Sequence, residues 1–324
     1  MSIFKRIFCS LTAFFAASFV LVAPAQEPYP SKTISIVVPQ APGGASDVTL
    51  RLLAQQLTGI LNQPIVVENK VGAGGNVGTV FVARSKSDGY TLLFNQTSHV
   101  INPSLYSKAG YDNARDFIPI ASVADGAFLL VSSVKSDIKS VEELVTRAKR
   151  RPGEIRYGSA GNGTLNHLAG AMLEKTANID LLHIPYKGGA ESGLGLAAGD
   201  VDISFQAPAS ALPFVQRGQI RVIAQTNPQR QSSYPSTPTV GETLRGYGVT
   251  PWYGLFAPKG TPEAVVQTIN VAVNKALASK EFQDKLLAIG LTPTPRSQIE
   301  FARWVAEENE KWQRVVKESG ATID

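Results

Sequence analysis

Thr33-Ile34-Ser35-Ile36-Val37-Val38-Pro39-Gln40-Ala41-Pro42-Gly43-Gly44-Ala45-Ser46-Asp47 joins a short β-branched run to a glycine-rich turn. After it, Leu50, Leu53, Leu57 and Ile60 recur at helical spacing, which predicts a helix over 48–61. Strand, tight glycine turn and helix start together aim free backbone N–H groups at an anion. A second stretch repeats the arrangement: Glu154-Ile155-Arg156 leads into Tyr157-Gly158-Ser159-Ala160-Gly161-Asn162-Gly163-Thr164, with Leu165, Leu168, Ala169, Met172 and Leu173 on one helical face behind it. Two such loops in one chain suggest two lobes closing on one small acidic ligand.

Working outward, Pro64 to Glu68 reads as the next strand, Val77 to Ser85 as a helix and Tyr90 to Phe94 as a third strand after the Asp88-Gly89 turn. This βαβαβ run predicts a largely parallel sheet with right-handed crossovers. Further strands are expected at 128–132, 155–157, 183–186, 201–205, 220–226 and 252–257. Ser140 is placed to cap a helix, with Glu143 at the capping-box position.

With 324 residues the chain is long enough for two domains. Its 44% hydrophobic and 18% charged residues fit a globular protein. The formal charge of +5 carries no nucleic-acid signal, because no basic block exceeds Lys149-Arg150-Arg151, which reads as a solvated helix end. Lys5 and Arg6, the apolar run Ile7 to Val22 and Ala23-Pro24-Ala25 before Gln26 form a secretory signal, too short to span a bilayer. Its removal takes away those two cations and no acid, lowering the charge from +5 to +3, and removes Cys9, the only cysteine. A disulfide-free exported protein of the bacterial periplasm is expected.

Three catalytic readings weaken on spacing. Gly72, Gly74 and Gly78 follow G-x-G-x-x-x-G, and the next strand ends without an acid for a ribose, so a dinucleotide loop is not expected. A nucleophile elbow at Ser159 has Tyr157 where its first glycine should stand, and the candidate base, His183, follows only 24 residues later with no histidine beyond it. A secreted serine hydrolase using Ser159 remains the alternative. Three scattered histidines and no mature thiol predict no metal site, and no cofactor is expected.

An ordered series of segments resembles the Bug-type (TctC-like) extracytoplasmic solute receptors, the binding components of tripartite tricarboxylate transport systems. They are Val38-Pro39 with Pro42-Gly43-Gly44 and Asp47, Val66 to Lys70 with Gly72 to Asn76 and Gly78, Asp88 to Leu92, Ile101 to Tyr106, Tyr157 to Thr164 with His167-Leu168, Ile184 to Gly188, Ser210 to Pro213, and Trp252 to Pro258. The resemblance implies a type II periplasmic-binding-protein fold, two α/β lobes joined by hinge strands around a ligand cleft. The expected division is a signal at 1–25, a discontinuous first lobe at 26–125 and 227–324, and a second lobe at 126–226. It also implies a small carboxylate ligand, membrane permease subunits or a sensor kinase as partner, and a monomeric, non-enzymatic receptor.

Candidate ligand contacts follow. Pro42, Gly43, Gly44, Ala45 and Ser46 form the first loop, with Ser46 able to cap its helix and Asp47 complementing the helix start. The second loop offers Ser159, Ala160, Gly161, Gly163 and Thr164, with Thr164 also a helix cap. His167, one turn inside, is either a packing residue or a contact. Thr97 and Ser98, and Phe205, Gln206 and Ala207, end strands at the sheet edge where open α/β sheets bind ligands. Relatives often carry Asp where Gln206 stands; an amide cannot balance an ammonium charge, which favours a plain carboxylic acid over an amino acid. Trp252 and Tyr253 either wall the pocket or pack in the core.

Overall fold

The computed structural model describes residues 28–323, so the expected export signal at 1–25 lies outside the described residues. β-branched and apolar runs form eleven strands among them: β1 (Ile34–Val38), β2 (Ile65–Asn69), β3 (Thr91–Gln96), β4 (Phe117–Gly126), β5 (Leu129–Ser133), β6 (Arg156–Ser159), β7 (Leu182–Pro185), β8 (Ile203–Gln206), β9 (Ile220–Gln225), β10 (Trp252–Pro258) and β11 (Leu291–Pro293). They sort into two sheets, ordered β11-β4-β10-β3-β1-β2 and β7-β6-β8-β5-β9. Helices cover both, giving a two-sheet α/β architecture.

The parallel expectation holds within the βαβαβ run, where β1 pairs in parallel with β2 and β3. Beyond it the pattern changes. β10 runs antiparallel to both β3 and β4, and β5 runs antiparallel to both β8 and β9. The reason is the route of the chain. β5 and β10 each enter a sheet directly from the crossing between sheets, with no helix to bring them round, so they run against their neighbours. β4 was not expected as a strand. Pro119 and the closing Ala124-Asp125-Gly126 read locally as loop, yet Phe117, Ile120, Ala121, Val123 and Ala124 are buried between β10 and β11.

Three backbone segments cross side by side between the sheets. Gly126 N donates to Pro251 O (2.7 Å), Thr226 N to Phe128 O (2.8 Å), and Val249 N to Thr226 O (2.8 Å). The return of the chain is later than residue 227. Residues 228–248 stay beside the second sheet, where Gln225 N donates to Pro238 O (2.8 Å) and Thr243 Oγ1 to Glu142 Oε1.

The long helix Gln298–Ser319 packs on helix Ser98–Leu105, β4 and helix Leu165–Ala177, so it touches elements attached to both sheets. Its Glu308 is buried, and Oε2 accepts from Trp252 Nε1 (3.1 Å) and Trp312 Nε1 (3.0 Å), while Lys311 pairs with Oε1. Glu308→Ala strands two buried indole donors and is expected to cost about 3 kcal/mol of unfolding free energy, with Glu308→Gln costing less. Urea denaturation of the two variants beside the parent checks the order.

Candidate functional site

The first loop leaves β1 and opens helix Ala45–Leu61. Gly43 sits at φ +78°, a conformation only glycine adopts cheaply. Its N–H donates to Asp47 Oδ2 (2.9 Å), which also receives Arg51 Nε (2.9 Å), while Asn69 Nδ2 donates to Oδ1 (2.9 Å). The Arg51 hydrogen bond, with those from Gly43 and Asn69, lowers the Asp47 carboxyl to about 2. Asp47 is therefore an internal brace of the loop. Ser46 does not cap the helix, as its position suggested. It lies inside the first turn, buried, with Oγ 3.4 Å from Gln96 Oε1. No side chain caps this helix. The N–H groups of Ala45 and Ser46 find no acceptor among the described residues, and Pro42 to Ala45 are exposed.

In the second loop Thr164 is the helix cap. Its hydroxyl accepts from His167 N (3.4 Å) and donates to Gly161 O (2.7 Å). His167 turns back on the loop, where Nδ1 accepts from Gly163 N (3.0 Å). That bond places its proton on Nε2, and burial lowers its pKa, so the ring is a neutral brace. Ser159 is fully buried. Its Oγ accepts from Gly161 N (3.1 Å) and lies 2.6 Å from His183 Nε2, and the His183 ring stacks on His167 at 4.1 Å. Burial first, and His167 second, lower His183 to about 4. The Gly161 and Gly163 N–H groups are thus spent inside the loop. Those of Ala160 and Asn162, with Leu165 and Asn166 in the first helical turn, find no acceptor among the described residues.

Between the sheets lies a cleft of about 320 Å³. Gln96, Thr97 and Ser98 at the end of β3 face Gly163, Thr164 and Asn166 across it, with Ile101, Leu105, Leu165 and Pro251 as apolar wall. Among the described residues no charged side chain lines it. The structure thus brings Thr97, Ser98, Gly163 and Thr164 to one cavity, and Ser46 joins through Gln96. Thr97 Oγ1 already accepts from Trp252 N (3.1 Å) and retains its proton for another partner.

Other expected contacts do not line this cavity. Ser159 and His167 brace the loop from behind. Phe205 is buried on Phe128, its carbonyl accepting from Asn166 Nδ2. Gln206 is buried at the end of β8, and Ala207 begins helix Pro208–Gln216. Trp252 packs edge-on against Trp304 and Tyr253 stacks on Phe94, both within the core. Sequence reasoning missed Gln96 and Asn166. Each had a signal: Gln96 directly precedes Thr97, and Asn166 occupies the second helical position after a glycine loop. Among the described residues no group of three His, Cys, Asp or Glu could hold a metal ion, and no helix is long and apolar enough to cross a membrane.

Two α/β sheets flanking a cleft with no charged lining among the described residues, and with a helix starting on each side of it, define a solute-binding receptor. The chain belongs to the tripartite tricarboxylate transporter family of receptors, whose sequence profile matches residues 49–321. It is 32% identical over 323 residues to Protein BugT of Bordetella pertussis, covering 98% of each chain. Solved relatives agree in fold. R. palustris Rpa4515 with adipate superposes with a TM-score of 0.75 at 31% identity, over 91% of this chain and 100% of that one. MatC of Rhodopseudomonas palustris with bound malate gives 0.71 at 30% identity, over 89% and 100%.

Proposed function

We propose that this chain is an exported periplasmic receptor that captures a small organic carboxylate between two lobes and presents it to membrane permease subunits or a sensor. The observation that carries the reading is the cleft itself. Among the described residues it holds no fixed charge, and its polar wall is hydroxyls, amides and the free N–H groups of a helix start. Such donors stabilise an anion without a counter-charge, more strongly once closure removes water. The bound acids of Rpa4515 and MatC support the ligand class. The first lobe would supply Ser46, Thr97 and Ser98, with the 42–45 backbone closing over the ligand, and the second Gly163, Thr164 and Asn166. The receptor would act as a monomer. Calorimetry against succinate, malate, adipate and benzoate tests it: micromolar binding of at least one acid is expected, and no binding of any carboxylate overturns it.

The 2.6 Å contact between Ser159 and His183 keeps a serine hydrolase as the second reading. Against it stand the complete burial of Ser159 and the absence, among the described residues, of any carboxylate hydrogen-bonded to His183. Ser159→Ala separates the two. A receptor should change affinity by roughly threefold, through loss of one loop brace. An esterase should lose turnover by orders of magnitude. Hydrolysis of p-nitrophenyl acetate by the parent that vanishes in the variant would decide for the enzyme.

A further inference from the structure

Gln206 ends β8 with its side chain buried, and its two amide atoms have different fates. Nε2 lies 2.8 Å from Ser204 Oγ and 3.3 Å from Ser192 Oγ. Oε1 is buried with no hydrogen-bond partner among the described residues. Which amide atom faces the serines follows from proton counting. Ser204 Oγ donates to Gly158 O (2.9 Å), a carbonyl that can only accept, and Ser192 Oγ, 3.1 Å from Ser204 Oγ, is left to donate towards it. The oxygen of Ser204 is then an acceptor towards everything else, and the amide atom 2.8 Å away must be a donor. Turning the amide over would set its oxygen against Ser204 Oγ unless Ser204 gave up its hydrogen bond to Gly158 O. The carbonyl is therefore locked outward by the relay Gly158–Ser204–Gln206, with Ser192 as a second anchor.

Outward means towards two helix starts. A Cβ placed on Gly189 would lie 3.7 Å from Oε1 and 3.9 Å from Ser210 Oγ, so the oxygen borders the crevice between Gly188-Gly189 and Ser210. Helices Gly189–Ala198 and Pro208–Gln216 both begin there, and neither has a side-chain cap. The neighbouring residue, Phe205, has its carbonyl held by Asn166, which lines the cleft. This corner offers free N–H donors beside one fixed, unpaired acceptor. A carboxylate oxygen satisfies the donors and leaves the acceptor unpaired. An ammonium would be desolvated against a single neutral carbonyl. A hydroxyl donates to it without charge.

We propose that Gln206 is a specificity-determining residue that selects carboxylates carrying a hydroxyl group. The proposal rests on the carboxylate-receptor reading above and narrows the expectation that an amide here favours a carboxylic acid over an amino acid. A buried acceptor that gains its partner only from the right ligand discriminates against the analogue lacking that donor.

The test is calorimetry on the mature chain with pairs differing by one hydroxyl: succinate and malate, glutarate and 2-hydroxyglutarate, butyrate and 4-hydroxybutyrate. In at least one pair the hydroxylated member should bind about tenfold more tightly. Gln206→Met, which keeps length and removes the acceptor, should erase that preference while retaining the plain acid. Ser204→Ala, which frees the amide to turn over, should narrow it, and serves if the Met variant fails to fold. If plain members bind as tightly as hydroxylated ones, or the preference survives both substitutions, the role of Gln206 is wrong and the receptor reading stands. If no member of any pair or of the wider acid panel binds, the receptor reading itself falls.

Discussion

Gly163→Val is expected to weaken ligand capture by at least a hundredfold while the chain still folds. Gly163 has φ +71°, so any side chain there strains the backbone by about 1–3 kcal/mol. Space is the larger obstacle. A Cβ at this position would stand 2.5 and 2.8 Å from the two methyl carbons of Leu105 and 2.9 Å from Ile323 Cδ1. Leu105 ends the helix that follows β3, so the clash falls where the second loop meets the first-sheet side of the cleft. Valine acts there as a wedge. It also displaces the Gly163 N–H from His167, loosening the loop that carries Thr164 and Asn166. Gly163→Ala should show the same effect at roughly a tenth of the size, because it adds one carbon to the same contact. Calorimetric titration with the best acid, beside thermal unfolding of the unliganded variants, checks the prediction. Parental affinity in the valine variant would remove this loop from the binding site.

Acid should destabilise the protein through His99, and a non-titrating aromatic there should relieve it. His99 is fully buried among Tyr111, Phe117 and Phe256, with ring centroids at 5.6, 4.9 and 4.2 Å. Its Nε2 has no hydrogen-bond partner among the described residues, and burial lowers its pKa to about 3. A depressed histidine contributes its stability above the unfolded value near 6.5 and loses it as pH falls towards the folded value. Between pH 7 and 4.5 the unfolded chain takes up a proton that the folded chain refuses, a loss of about 2–3 kcal/mol. His99→Phe keeps the aromatic packing and should flatten this limb by that amount. His167 and His183 act in the same direction and remain in the variant. Asp125 opposes them: burial raises it to about 6, so its contribution to stability falls as pH rises from about 4 to 6. The comparison of parent and variant in urea at the two pH values isolates His99. An unchanged slope would mean the imidazole protonates without unfolding its cage.

Much of the scaffold was legible because its signals are short-range. Alternating β-branched residues and the 3-4-3 spacing of Leu50, Leu53, Leu57 and Ile60 announce β1 and the helix after it, and the glycine turns announce where the backbone approaches closely. β4 escaped because its evidence is not local. A proline and small residues become a ten-residue strand only when β10 and β11 supply partners on both sides. The late return of the chain at 249–251 escaped likewise, since the Ser- and Pro-rich stretch before it carries no periodicity. Within the site, the two glycine loops were visible, whereas the use of each atom was not. Its place in the second loop offers Ser159 to a ligand, whereas His183 and Gly161 occupy its hydroxyl.

By itself the sequence determined the βαβαβ opening, the two strand–glycine loop–helix units and, through an ordered set of motifs, the receptor family. Turn chemistry, periodicity and motif order are properties of neighbouring residues, so they survive without a fold. Tertiary structure alone decided the reversed direction of β5 and β10, the pairing of Gly163 with Leu105, and which N–H groups remain free for a ligand. It also decided that Gln206 shows its carbonyl rather than its amino group, because the proton of Ser204 is claimed by Gly158, 46 residues away in the chain. Hydrogen-bond direction is set by which donors and acceptors stand within reach of an atom, and that company exists only once distant segments are packed together.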